Sequence, residues 1–242
     1  MMRDRYDRNL GTIGLAGQEK LAAAKVAVIG AGGLGGLVIE LLARMGVGYL
    51  RIIDGDTFAV HNLNRQLLAT ENNLNQGKAQ AAVARVAAIN SDVTAEAVTI
   101  MLDEANATTL LAGMDVAVDC LDNFSSRFQA GRAARELQIP LVHGAIAGFT
   151  GQITTIFPGD NSFDLIYKSS PQSDRGIETV LGNPATTPAV AASLEAQEVV
   201  KVITGIGEPL RHKLLYFDLE YNLFDVFELA RKEEVDNGVN SL

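Results

Sequence analysis

Gly30-Ala31-Gly32-Gly33-Leu34-Gly35 follows the apolar run Val26-Ala27-Val28-Ile29 and leads directly into a helical pattern. This is G-x-G-x-x-G. Gly30, Gly32, Gly33 and Gly35 allow a tight turn that brings bare backbone N–H groups against a phosphate, at the positive end of a helix. Asp54 lies 19 residues after Gly35, at the tip of the next apolar run. A carboxylate there can accept hydrogen bonds from a ribose. Together these residues point to an adenine nucleotide, and on their own they fit NAD, FAD and ATP alike.

The elements that must hold these residues alternate along the chain. Strands are predicted at 26–29, 49–53, 97–101 and 116–120, with a fifth starting at 140–143. Helices are predicted at 34–45, 77–89, 104–111 and 125–137, and a short one at 16–23. Residues 57–70 are Asn-rich and aperiodic, so a loop is expected there. Strands alternating with helices imply an α/β fold: a Rossmann-like, mostly parallel sheet with helices on both faces. After residue 150 the pattern changes. Residues 150–157 alternate as an antiparallel strand does, 188–203 read as a long helix, and 213–217 and 223–229 as two final antiparallel strands. The expected organisation is one domain over 1–242, with an N-terminal arm at 1–20. It carries an irregular polar crossover at 159–187 and a disordered tail at 231–242.

Composition narrows the function classes. The chain has 242 residues, 48% of them apolar, enough for a substantial core. Its formal net charge of −9 disfavours a nucleic-acid partner, whose phosphates demand basic surface. Cys120 is the only cysteine, so neither a disulfide framework nor a cysteine-based zinc site is available within one chain. Following Val116-Ala117-Val118, it reads as a buried small hydrophobe. His61, His143 and His212 are scattered without ligand spacing. The first ten residues are charged, and no apolar run approaches the ~20 residues of a membrane span. A soluble cytoplasmic protein is expected.

Further motifs recur in a fixed order. They are Arg5-Tyr6-Asp7-Arg8, the glycine turn at 30–35, Ile53-Asp54-Gly55-Asp56, Asn62-Leu63-Asn64-Arg65-Gln66 and Gly77-Lys78. Asp119-Cys120-Leu121-Asp122-Asn123-Phe124, G-x-x-G-Q-I-T at 148–154 and S-L-E-A-Q-E-V-V-K at 193–201 complete the set. From about residue 5 to 229 the chain resembles the ThiF/MoeB/HesA family of adenylyltransferases, bacterial relatives of ubiquitin-activating enzymes. The resemblance implies that a ubiquitin-like or sulfur-carrier protein presents a C-terminal Gly-Gly carboxylate to the α-phosphate of ATP. An acyl-adenylate forms and pyrophosphate leaves. The carboxylate is already ionised, so catalysis is positioning plus neutralisation of phosphate charge.

By the same resemblance Asp54 holds the ribose, Arg65 and Lys78 bind phosphates, and Asn62 and Gln66 line the phosphate site. Asp122 holds Mg²⁺, and Arg8 reaches the γ-phosphate end of a second subunit's site, which implies a homodimer. The residues themselves allow plainer roles. Asp54 could cap a strand, Asp56 could serve a turn as well as catalysis, and Arg65 and Arg8 could be solvated charges. Asp122-Asn123 could cap the following helix, a role compatible with metal binding. Lys78 opens a helix, where its charge opposes the dipole, so a solvated face explains it less naturally.

The chain departs from the family pattern in its thiols. The region of the first Cys-x-x-Cys pair reads Ile166-Tyr167-Lys168-Ser169-Ser170, and residues 173–179 contain no cysteine. The resemblance therefore supports adenylation without a catalytic cysteine and without a zinc site. Sulfur transfer would need a separate sulfurtransferase. Three other readings share the glycine turn. The site could adenylate a carboxylate on a peptide, a small molecule or a modified tRNA base. The chain could be a nicotinamide-dependent oxidoreductase, which leaves residues 62–66 and Lys78 without a role. It could also be a nucleotide-binding module that has lost turnover.

Overall fold

The structure is a computed structural model that describes residues 2–167, 174 and 176–229. The expected tail at 231–242 and residues 168–173 and 175 of the expected crossover lie outside the described residues. Eight strands form one sheet in the order β3-β2-β1-β4-β5-β6-β7-β8. The parallel half comprises β1 (Lys25–Ile29), β2 (Tyr49–Ile53), β3 (Thr94–Val98), β4 (Val116–Asp119) and β5 (Leu141–Ala147). The antiparallel half adds β6 (Thr150–Ile156), β7 (Lys213–Asp218) and β8 (Leu223–Glu228). Ala147 pairs with Thr150, so β5 and β6 are joined by Gly148-Phe149 alone, and Gly148 takes the positive φ (57°) that so tight a hairpin requires.

Side chains alternate across the central strands and build two cores. Val26, Val28, Leu50, Ile52, Val116 and Val118 face one side. There they pack on α2 (Gly33–Met45), α3 (Lys78–Ile89) and α8 (Thr186–Thr204). Ala27, Ile29, Ile53 and Ala117 face the other side, against α4 (Ala107–Leu111) and α5 (Phe124–Glu136). Strands covered on both faces read as continuous apolar runs, which is why β1 and β4 were plain in the sequence, while β2 carries Arg51 at its centre. The order reverses between β1 and β4, and the crevice outside the carboxyl ends of those strands is where α/β sheets of this kind bind ligands.

Several elements differ from expectation, among them α4, which starts at Ala107 and not at 104. β3 is Thr94–Val98, not 97–101, because its register with β2 pairs Tyr49 with Thr94 and Ile53 with Val98. Ile100 and Met101, counted toward that strand for their apolarity, instead leave the sheet and are about half exposed at its carboxyl end. The helix expected at 16–23 is the end of α1 (Met2–Ala23), which is broken at Gly14 (φ 66°, ψ 174°). Its charged first half hides the apolar contacts that hold it: Tyr6 and Ile13 are buried, and Tyr6 packs on Gly46 at the C-cap of α2. Within 159–187 the chain forms two short helices, α6 (Ser162–Tyr167) and α7 (Glu178–Leu181).

Candidate active site

The glycine turn closes on itself. Gly30 takes φ 95°, and a Cβ there would stand 2.8 Å from the Cys120 carbonyl oxygen. A Cβ on Gly35 would stand 1.8 Å from the Gly30 carbonyl oxygen, a clash between backbones that no side chain can relieve. Gly32 is the N-cap of α2 and supplies no side-chain cap, so the first-turn N–H groups are left for an anion. A cleft of about 460 Å³ opens in front of this turn, within the size range of small-molecule sites.

Asp54 ends β2 and ties it to the turn. Its carboxylate accepts from Ala31 N–H at 2.7 Å and from Asp56 N–H at 2.8 Å. Burial pushes the Asp54 carboxyl up, and those two N–H donors and the Lys78 charge oppose the shift. Lys78 is 7% exposed, and its Nζ lies 3.1 Å from the Asp56 carboxylate. That pairing offsets the cost of a cation at a helix start and aims Lys78 at the cleft, which it lines. Arg65 is held by the His61 carbonyl at 3.0 Å and the Asn64 side chain at 2.9 Å, and its stem packs beside Gly33. Gln66, 6% exposed, lies 3.6 Å from where a Gly32 Cβ would stand, and its Oε1 has no partner among the described residues. A buried acceptor left open beside a phosphate-type turn fits a bound ligand.

Across the cleft, β4 ends and α5 begins. Asn123 is the N-cap of α5 and accepts from Ser126 N–H at 2.9 Å. The capping role therefore falls to Asn123, and the exposed Asp122 carboxylate is left lining the cleft. Ile100 and Met101 form an apolar stretch of wall suited to a base.

The structure thus gathers Gly30, Gly32, Gly33, Asp54, Asp56, Arg65, Gln66, Lys78 and Asp122 around one cleft. Gly35 sits beneath the turn rather than at its surface. Asn62, expected to line the phosphate site, does not. It is buried, its side chain accepts from Ala59 N–H at 2.9 Å, and its carbonyl accepts from the N–H groups of Arg65 and Gln66. It builds the turn that presents the next two residues.

Arg8 is exposed and lies away from the cleft. Tyr6, two residues earlier, packs at the far ends of α2 and α3, where its hydroxyl accepts from Asn90 Nδ2. The 13 residues of α2 span about 20 Å, which sets the separation. Sequence reasoning missed Arg127, Gln152 and Tyr167, which also line the cleft, and the wholly buried Glu195 behind it. Asp119 carried a faint signal, as an acid closing a fully apolar strand.

A glycine turn with an uncapped helix start, a ribose-type carboxylate and two cations at the carboxyl ends of a parallel sheet define an α/β protein built for a nucleotide. The chain belongs to the ThiF family, whose model matches residues 6–237. It is 37% identical over 221 residues to the SAMP-activating enzyme E1 of Haloferax volcanii, covering 89% of this chain and 81% of that protein. It is 38% identical over 224 residues to the sulfur carrier protein adenylyltransferase of Thermus thermophilus, covering 89% and 83%. A crystal structure of E. coli MccB with ATP shares the fold, with a TM-score of 0.80 at 22% identity over 94% of this chain and 72% of that one.

Proposed function

We propose that this chain is an adenylate-forming nucleotidyltransferase. It activates the C-terminal Gly-Gly carboxylate of a ubiquitin-like or sulfur-carrier protein with ATP and releases pyrophosphate. One observation carries the reading: Lys78, fixed by Asp56, and Arg65 share a cleft with an uncapped helix start and a carboxylate, Asp122, that the neighbouring cap leaves available. Relatives named for the adenylation of sulfur carriers support it.

Asp54 binds the ribose hydroxyls, and the apolar wall at Ile100 and Met101 receives the adenine. The N–H groups of the α2 start, with Lys78 and Arg65, hold the phosphates. Lys78 is a point charge that can follow a moving anion, and Arg65 a fork that spans two oxygens. Among the described residues no group of three or more His, Cys, Asp or Glu side chains is arranged to hold a metal ion. Mg²⁺ is held by one or two carboxylates together with substrate phosphates and water, and Asp122 offers such a carboxylate at the cleft. Asp122 would hold it, and when bound it would neutralise phosphate charge. A carboxylate nucleophile needs no general base.

A protein substrate is supported by the relatives named for sulfur carriers and by the edge strand beside the cleft. Tyr216 of β7 lines the cleft, and β8 exposes Leu223 and Phe227 on one face and Phe224 and Val226 on the other. Arg8 meets a phosphate only in a second copy of the chain, so the enzyme is a homodimer with two composite sites. Among the described residues no helix is long and apolar enough to cross a membrane, and the reaction belongs in the cytoplasm. Exchange of radiolabelled pyrophosphate into ATP, dependent on a Gly-Gly-ended carrier, tests the reading. It is expected to fall by about 10²–10³-fold in Asp122→Ala, and exchange retained in that variant would remove Asp122 from the mechanism.

A further inference from the structure

A ring of polar groups that the adenylation chemistry leaves unused runs from the cleft wall, where Arg127, Gln152 and Tyr167 stand, to the buried Asp119 and His143 behind it. Asp119, the last residue of β4, is wholly buried. Its Oδ2 lies 2.7 Å from His143 Nδ1, and its Oδ1 accepts from Leu121 N–H at 3.0 Å. His143 Nε2 lies 2.7 Å from Tyr167 Oη. Tyr167 Oη also accepts from Gln152 Nε2 at 2.9 Å and Arg127 Nη1 at 3.1 Å. Arg127 closes the ring by donating through Nη2 to the Leu121 carbonyl. The ring begins and ends on one residue: Asp119 grips the N–H of Leu121 and Arg127 grips its C=O. Asp122 comes next in the chain.

One assignment of protons is consistent with every hydrogen bond of the ring, with Arg127 Nε–H left without a partner among the described residues. Arg127 and Gln152 donate to Tyr167, so Tyr167 gives its own proton to His143 Nε2, and His143 Nδ1–H is left for Asp119. His143 is then neutral. Burial pushes its pKa below the usual range, with the Asp119 hydrogen bond only partly opposing. Asp119 is ionised: burial disfavours its charge, but Arg127, His143 and the Leu121 N–H outweigh that and hold its carboxyl low.

Burying the charges of Asp119 and Arg127 is a poor means of gaining stability, because apolar residues of similar volume pack at lower desolvation cost. What the ring does supply is a fixed peptide. The geometry points to Asp119, His143, Tyr167 and Arg127 as positioning residues that lock Leu121 and so set the Asp122 carboxylate where a divalent cation on the nucleotide phosphates meets it. This rests on the adenylation reading above.

The test measures binding of a non-hydrolysable ATP analogue by calorimetry, in EDTA and in Mg²⁺, so that no carrier protein is needed. His143→Phe removes the link between Asp119 and Tyr167. Asp119→Asn keeps the size but loses the charge that holds His143 Nδ1–H and the Leu121 N–H. Both residues are buried behind the cleft and outside its lining, so both variants are expected to melt as folded proteins and to bind the metal-free analogue as wild type does. The affinity gained from Mg²⁺ should fall by about tenfold, as for other residues that orient a metal ligand.

An undiminished Mg²⁺ gain in the folded variants overturns the proposal. So does an equal loss with and without metal, or failure of both variants to fold, since each marks the ring as general scaffolding. Absence of a Mg²⁺ gain in wild type overturns the adenylation reading itself, and the proposal falls with it. A loss confined to the variants is distinguishable from that result.

Discussion

Lys78 shows how much a single residue can reveal. Its charge stands at a helix start, where the dipole opposes it, and the compensation is a specific one, the Asp56 carboxylate 3.1 Å away. Lys78→Ala should therefore cost pyrophosphate exchange by about 10²-fold or more, with little change in melting temperature. Glu195 is the opposite case, a buried acid within the 193–201 motif to which the sequence assigned no role. Burial first, and then the nearby Asp119, push its carboxyl well above the usual range, with Arg127 partly opposing. The folded state keeps a proton that the unfolded chain loses above about pH 4.3. Stability therefore falls as pH rises from there toward the folded pKa, by up to about 1.4 kcal/mol per pH unit. Glu195→Gln has no proton to lose and should flatten that slope, as urea midpoints across neutral and alkaline pH would show. The glycines, Asp54 and Lys78 were legible because each breaks a local rule in a fixed sequence frame. His143 and Tyr167 were not, since their partners lie 15 to 40 residues away in the chain and share no pattern with them.

At the scale of elements, the strand–glycine–helix unit is the most constrained part of the molecule. Gly35→Ala drives a Cβ into the Gly30 carbonyl, so α2 must move and the turn must open. Loss of nucleotide binding and of a few kcal/mol of stability is expected, measurable by calorimetry and denaturant titration. Gly11 is the contrast. It is an exposed glycine within α1 whose missing Cβ meets nothing within 4 Å, so Gly11→Ala should stabilise by about 0.5–1 kcal/mol. Buried parallel strands were readable because burial on both faces writes itself as an apolar run. β3 slipped because apolarity there had a second cause: Ile100 and Met101 face the cleft and not the core. The first half of α1 escaped notice because two buried apolar residues, Tyr6 and Ile13, hold a segment that is otherwise mostly charged or polar.

For the whole molecule, the position of Arg8 carries the claim of a dimer. It lies at the end of the sheet away from its own cleft, so a role at the phosphates requires a second copy. Arg8→Ala and Asp122→Ala should each be inactive alone. Mixed after unfolding and refolding, they form heterodimers in which one of two sites is intact, and about a quarter of wild-type exchange should return. No recovery would rule out a site shared between two copies. The sheet order and its switch point between β1 and β4 were within reach of the alternating pattern; the apolar edge at β8 was not, because an exposed strand reads in sequence like a buried one.

The most direct test is calorimetric titration of Mg·ATP, and separately of NAD⁺, into the wild-type protein and into Asp122→Ala. Mg·ATP should bind the wild type and bind the variant more weakly, and NAD⁺ should bind neither. Binding of NAD⁺ without binding of Mg·ATP would contradict adenylation and assign the glycine turn to redox chemistry.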